Sequence, residues 1–170
     1  GVGVSVVNAL SEKLVVSVHR DGKVYSQEYK RGAPTTKVTT RPMKLEEKSL
    51  PHGTVTTFYP DPDFFKDMAF RWEKVEKTIR DRAYLIAGIA FHLKDLRSSE
   101  EAHFYFEGGI RALVEALNRH KISLHDSFYS KGESGDIQVE VSMQYNDGFS
   151  ENVETFVNGV NTTDGGTHLT

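Results

Sequence analysis

The sequence predicts an α+β fold built from two α/β-layer domains, with antiparallel or mixed sheets carrying helices on one face. Three observations carry that expectation. Asp21-Gly22 sits between two β-favouring runs, and Asp-Gly supplies the positive φ values that a two-residue hairpin turn requires. Ile137, Val139, Val141, Met143 and Tyr145 alternate with Gln138, Glu140, Ser142 and Gln144, which is the period of a half-buried strand with its polar face toward water or another domain. Trp72, Val75, Ile79, Ala83 and Ile86 recur at spacings of three and four, one face of an amphipathic helix. The elements do not alternate cleanly as βαβα, so hairpins rather than parallel crossovers are expected.

Taken in order, residues 5–10 read as a short helix or its first turns. Residues 14–18 and 24–29 are the two hairpin strands. Residues 31–49 are polar, with Pro34, Pro42 and a Lys/Glu run at 44–48, and read as a loop holding one short edge strand at most. Residues 52–60 form a strand ended by Pro60, and Asp61-Pro62-Asp63 a turn. The helix from Trp72 closes at Gly88, placed at its C′ position. Residues 89–93 and 103–106 are two further strands around a charged turn. Gly108-Gly109 marks the domain boundary and a hinge, and Ile110, Leu113, Val114 and Leu117 give a second helical stripe. Residues 131–136 read as a Gly/Ser loop. Asn146-Asp147-Gly148 turns the alternating strand back into one at 153–157, and residues 158–170 are a polar loop.

Bulk properties exclude several classes. The chain has 170 residues, no cysteine and a formal net charge of −3. Disulfides and thiolate metal sites are therefore excluded, and there is no general electrostatic footprint for nucleic acid beyond a local patch. No apolar run approaches the ~18 residues of a membrane span, and the apolar start lacks the basic region of a signal peptide. His120 and His125 do not have zinc-site spacing. Lys77, Arg80 and Arg82 fit a solvated helix face better than a DNA-binding one.

The stretch Gly1-Val2-Gly3-Val4-Ser5-Val6-Val7-Asn8-Ala9-Leu10-Ser11 is the candidate site. Glycines let the backbone adopt φ > 0 and approach a ligand. A helix start that follows offers unpaired N–H groups and a dipole favourable to an anion. Together they suggest a phosphate cradle, set against the plain reading of a flexible terminus.

Five stretches, in order along the whole chain, resemble the B-subunit family of type IIA DNA topoisomerases, which are GHKL ATPases. They are the box at residues 1–11, Gly53-Thr54 with Phe58-Tyr59-Pro60, Phe104-Tyr105-Phe106-Glu107-Gly108-Gly109-Ile110, Gln144-Tyr145-Asn146-Asp147-Gly148-Phe149-Ser150-Glu151-Asn152, and Asn161-Thr162-Thr163-Asp164-Gly165-Gly166-Thr167-His168. The fourth stretch is closer in wording to the gyrase branch than to topoisomerase IV. The resemblance implies that residues 1–107 are the C-terminal part of a GHKL (Bergerat) ATPase sandwich. Residues 108–170 would be the N-terminal part of a transducer domain with a ribosomal-protein-like α/β fold.

The resemblance also implies a cytoplasmic, ATP-dependent enzyme whose hydrolysis drives DNA strand passage. Its partners would be ATP, DNA, a gyrase A subunit and a second copy of the B-type chain, and no membrane. Gly1, Val2, Gly3 and Val4 match the lid box around the ATP phosphates, and Thr54 matches a threonine that helps recognise adenine. Arg20 matches an arginine at the pocket mouth where coumarin inhibitors bind. Thr56 departs from the aliphatic residue usual beside the adenine. The family's general base, its Mg²⁺ ligand and its γ-phosphate lysine have no counterpart in these residues, so no catalytic or metal residue is assigned and the stretch alone is expected to be inactive. Glu107 reads as a cap or turn residue. Against the enzyme stands a non-catalytic interaction fragment with a vestigial box; more distant GHKL relatives in mismatch repair and heat-shock response fit less well.

Overall fold

The computed structural model describes residues 2–162 and 165–167, in two compact units, Gly1–Ala69 and Phe70–Thr170. Every strand pairing among the described residues is antiparallel, as the hairpin signals predicted.

The first unit opens with helix α1 (Gly3–Ala9) and strand β1 (Ser11–Arg20). Asp21 and Gly22, at φ 52° and 70°, turn β1 into β2 (Lys23–Lys30). The polar segment that follows holds more structure than a loop with one edge strand. Two short strands, β3 (Ala33–Pro34) and β4 (Thr39–Pro42), pair with the two ends of β2, and a 3-10 turn spans Glu46–Ser49. The prolines are tolerated because these are edge strands. Strand β5 (Gly53–Pro60) lies on the other side of β1, giving the order β3-β2-β1-β5 with β4 beside β2. Leu14 and Val24 are the buried apolar side chains here. His19 is buried too, and its Nδ1–H donates to the Leu50 carbonyl at 3.0 Å, tying the start of β5 to β1.

The second unit repeats one scheme, a helix beside a hairpin. Helix α2 (Trp72–Leu85) packs on β6 (Phe91–Asp95) and β7 (Glu100–Phe104). Trp72, Val75 and Ile79 are half-buried and Ala83 is fully buried, as their spacing predicted, whereas Ile86, the last residue of the stripe, is the C-cap and is exposed. Lys77 pairs with Asp81 at 2.6 Å and Arg80 with Glu76 at 3.1 Å, the i,i+4 pairs of a solvated face. The helix is capped at Ile86, so Ala87 rather than Gly88 occupies C′. Gly88 keeps a positive φ of 77° and donates its N–H to the Phe106 carbonyl at 3.3 Å instead. Glu107 lies in the turn before helix α3 (Ile110–Leu117), whose N-cap is Gly109. Gly109 has φ 55° and ψ −131°, and a Cβ there would come within 3.2 Å of the Ala87 side chain.

Helix α3 packs on β9 (Ile137–Met143), the partner of β8 (Phe128–Ser134). Residues 131–134 are therefore strand, not loop. Pairing with β9 overrides the weak β-propensity of Gly and Ser, and Lys131 reaches Glu140 at 2.8 Å. The turn is confined to Gly135 (φ 60°) and Asp136. Alternation in β9 is real, but Ile137, Val139, Val141 and Met143 are 43–66% exposed, so the half-buried expectation fails among the described residues. Asn146-Asp147-Gly148 does not lead into a strand at 153–157. Asp147 exchanges hydrogen bonds with Ile122, and only β10 (Phe156–Val157) forms, paired with β11 (Val160–Asn161) across Asn158-Gly159.

Candidate functional site

The site residues assigned from sequence all fall in the first unit. Gly1 lies outside the described residues, as do Thr163, Asp164 and His168 of the closing stretch. Val2 is the N-cap of α1 at φ −87° and makes no side-chain cap bond, and no acidic residue stands in the first turn. The first-turn N–H groups thus keep the anion-favouring character of a helix start. Gly3 is helical, so the left-handed backbone expected of it is not used. What glycine supplies instead is room, because a Cβ on Gly3 would meet nothing within 4 Å. Val2 and Val4 are 76% and 74% exposed.

Thr54 is the second residue of β5 and pairs with Val18 of β1. Arg20 follows Val18 by two positions, so Thr54, Val18 and Arg20 share one face of the sheet, with Thr56 opposite Val16 on the same face. Thr54 and Thr56 are exposed. Arg20 has a side chain 73% exposed, 3.5 Å from the Asp21 carboxylate. The sheet register therefore unites Thr54 with Arg20, near the end of β1 remote from Ser11. The box residues stand at the opposite end of that strand, along helix α1 and the turn that leads into Ser11. A cleft of about 270 Å³ on the sheet is lined by Glu12, Lys13, Glu28, Tyr29, Lys30 and Thr35, none of them an assigned site residue.

Sequence reasoning missed one cluster, centred on Arg31 and Asp61. Arg31 and Gly32 form the two-residue turn between β2 and β3, at φ 49° and 85°. An arginine in that region is uncommon, which is why the segment does not read as a turn. Arg31 Nε donates to Asp61 Oδ2 at 2.5 Å and its Nη2 to Oδ1 at 3.1 Å, and Nη2 also reaches Asp63. Asp61 is fully buried. The Arg31 fork, helped by the Asp63 N–H at 3.0 Å, holds the Asp61 carboxyl below the usual carboxylate range. The only sequence signal was Asp61-Pro62-Asp63, which reads as a turn and says nothing of a partner thirty positions upstream.

The second unit has polar networks of its own. His92 and His103 face each other across β6 and β7 with their Nδ1 atoms 2.6 Å apart. Ser127, nearly buried, accepts from Arg111 at 2.8 Å and donates to Glu115 at 2.5 Å, fastening α3 to the start of β8. Among the described residues no group of three or more His, Asp and Glu is placed to hold a metal, and no helix is long and apolar enough to cross a membrane.

The family model for DNA gyrase B matches residues 109–170. The gyrase B protein of Thermotoga maritima is 42% identical over 178 residues, covering 100% of this chain and 27% of that protein. The corresponding B protein of DNA topoisomerase 4 from Bacillus subtilis is 43% identical over 168 residues, covering 99% of this chain and 25% of its own length. The crystal structure of the 43K ATPase domain of Thermus thermophilus gyrase B, in complex with an aminocoumarin, superposes with a TM-score of 0.86 at 35% identity, over 99% of this chain and 46% of that one. The chain spans about a quarter of the length of these curated relatives. Similarity along the whole chain, in sequence and in the mixed α/β fold, means that it belongs to the DNA gyrase B family.

Proposed function

We propose that this chain is the stretch of a DNA gyrase B protein running from the ATP-lid box to the start of the transducer domain. The whole protein would bind ATP and couple its hydrolysis to strand passage and negative supercoiling of DNA, together with a gyrase A subunit and a second gyrase B chain, in the cytoplasm. The observation that carries this reading is identity of 42% to a gyrase B protein along the entire chain. The B-type chain of a topoisomerase IV is the second reading, favoured by the 43% identity to that protein of Bacillus subtilis. In either case residues 1–107 belong to the ATPase domain and residues 108–170 to the transducer, with its ribosomal-protein-like fold. The start of the gyrase B family match at residue 109 supports that division.

ATP supplies the phosphoanhydride whose cleavage drives the cycle, and the residues present fit parts of it. The uncapped, acid-free first turn of α1 and the open space at Gly3 suit the phosphates, held by the backbone of Gly1, Val2 and Gly3 with Val4 on the pocket wall. Thr54, exposed on the sheet, offers its hydroxyl to adenine, and Arg20 on the same face stands at the mouth where an aminocoumarin would bind. No residue of this stretch matches the family's general base, Mg²⁺ ligand or γ-phosphate lysine, and we propose that the stretch alone does not turn over ATP.

Calorimetric titration of a non-hydrolysable ATP analogue with Mg²⁺ into the full-length protein tests the phosphate role. Gly3→Ala places a methyl group in that open space, where no atom beyond its chain neighbours and its own helix backbone lies within 4 Å. Loss of affinity at an unchanged melting temperature is the expected result; unchanged affinity overturns the role of the box.

A further inference from the structure

We propose that the Arg31–Asp61 pair is the anchor that positions helix α1, making both of them positioning residues for whatever the start of that helix binds. The ligand part of this inference rests on the nucleotide reading above; the anchoring part does not. Helix α1 has no buried residue of its own, so packing alone does little to fix it. It is held at its C-terminal end by hydrogen bonds that converge on the two ion-pair residues. The Asp61 N–H donates to the Leu10 carbonyl at 3.1 Å, and the Arg31 N–H to the Ser11 carbonyl at 2.9 Å. One step further on, the Asn8 side chain donates to the Gly32 carbonyl at 3.4 Å, and the buried Ser11 hydroxyl to the Val7 carbonyl at 2.6 Å. Gly32 also lies against Ala9, where a Cβ would sit 3.5 Å from the Ala9 Cα.

The pair locks the two peptide groups that hold the helix end. Arg31 tolerates a left-handed backbone that disfavours side chains, and the compensation visible in the structure is its two-pronged bond to a carboxylate wholly out of water. Both Asp61 oxygens are engaged, and its carbonyl accepts from Phe64 and Phe65 at 3.0 Å, so the chain on either side of it is also fixed. Removing the guanidinium leaves that carboxylate buried without its partner, and the local structure must open to hydrate it. Helix α1, with no buried residue of its own, is the helix tied to that pair through Leu10 and Ser11.

Hydrogen exchange on the chain tests the anchor without any ligand. In Arg31→Ala and in Asp61→Asn the amides of residues 6–10 are expected to lose roughly tenfold or more of their protection, with the β1–β2 hairpin amides unchanged. Lys13→Ala, which removes the half-exposed pair with Glu28 in the same unit, should change neither. Arg31→Lys keeps the charge but not the fork, and should fall between wild type and Arg31→Ala. Protection of residues 6–10 that stays at the wild-type level in both main variants overturns the anchor, as does an equal loss across the hairpin. Titration of a non-hydrolysable ATP analogue into the full-length protein then separates the two claims. Wild-type protein that does not bind it refutes the nucleotide reading and leaves the exchange result standing. Wild-type binding with equal affinity in Asp61→Asn, despite loosened amides, refutes the positioning role.

Discussion

Leu14→Ala should lower the stability of the first unit by about 2–3 kcal/mol. Leu14 is 2% exposed on β1, between Tyr29 of β2 and Phe58 of β5 on one face of the sheet. The substitution deletes three carbon atoms' worth of buried surface, about 2.4 kcal/mol at ~0.8 kcal/mol per methylene. A cavity contribution adds to this in tightly packed cores, where the same change costs up to about 5 kcal/mol. Here that addition is small. Phe58 is 42% exposed and Tyr29 half-buried, so the neighbours can collapse into the gap. For a chain of this size the loss corresponds to a melting temperature lower by about 4–12 °C, read by circular dichroism or calorimetry. Leu14→Met conserves the volume and should cost less than about 1.5 kcal/mol. A melting temperature for Leu14→Ala within a degree of wild type would refute the reasoning, because it would mean that β1 is not the centre of a packed layer.

Thr54→Val keeps the strand and its β-branching but removes the hydroxyl; in the full-length protein it should cost about 1–3 kcal/mol in nucleotide affinity, roughly five- to a hundredfold, with the melt unchanged. Thr54→Ser should restore binding, and equal affinities of all three by calorimetry would show that Thr54 is a strand residue only. Gly109→Ala must force a side chain into φ 55° against Ala87, and should destabilise the second unit by about 1–3 kcal/mol in a denaturant melt. Acid should destabilise the protein through the carboxylates held below their ordinary range, Glu47 and Asp95 as well as Asp61. Arg41 holds Glu47 down to about 2 from an ordinary 4.5, and Arg97 holds Asp95 down to about 2 from 3.8. Because the folded values lie below the unfolded ones, their stabilisation is complete above about pH 5 and is lost as pH falls toward 2. A melting curve followed from pH 6 to pH 2 should therefore fall less steeply in Glu47→Gln; an identical slope would show that this pair adds nothing.

The sequence by itself determined the elements whose signals are local. Asp21-Gly22 made its hairpin because the turn needs two positive φ values that these residues accept cheaply. The stripes of α2 and α3 formed helices, with only Ile86 left just outside α2, because a three-to-four spacing can bury one face only in that geometry. The five matching stretches were legible too, and with them the family. The tertiary structure decided what depends on partners distant in the chain. Residues 131–134 became strand because β9 lay beside them, and of 153–157 only Phe156 and Val157 did, where β11 lay beside them. Gly3 entered a helix rather than a left-handed loop. Arg31 and Asp61 looked like an exposed cation and a turn residue when read one at a time. Only folding β2 and β5 onto opposite sides of β1 brings a guanidinium to a carboxylate thirty positions away, because an ion pair is specified by distance in space and leaves no period or spacing in the sequence.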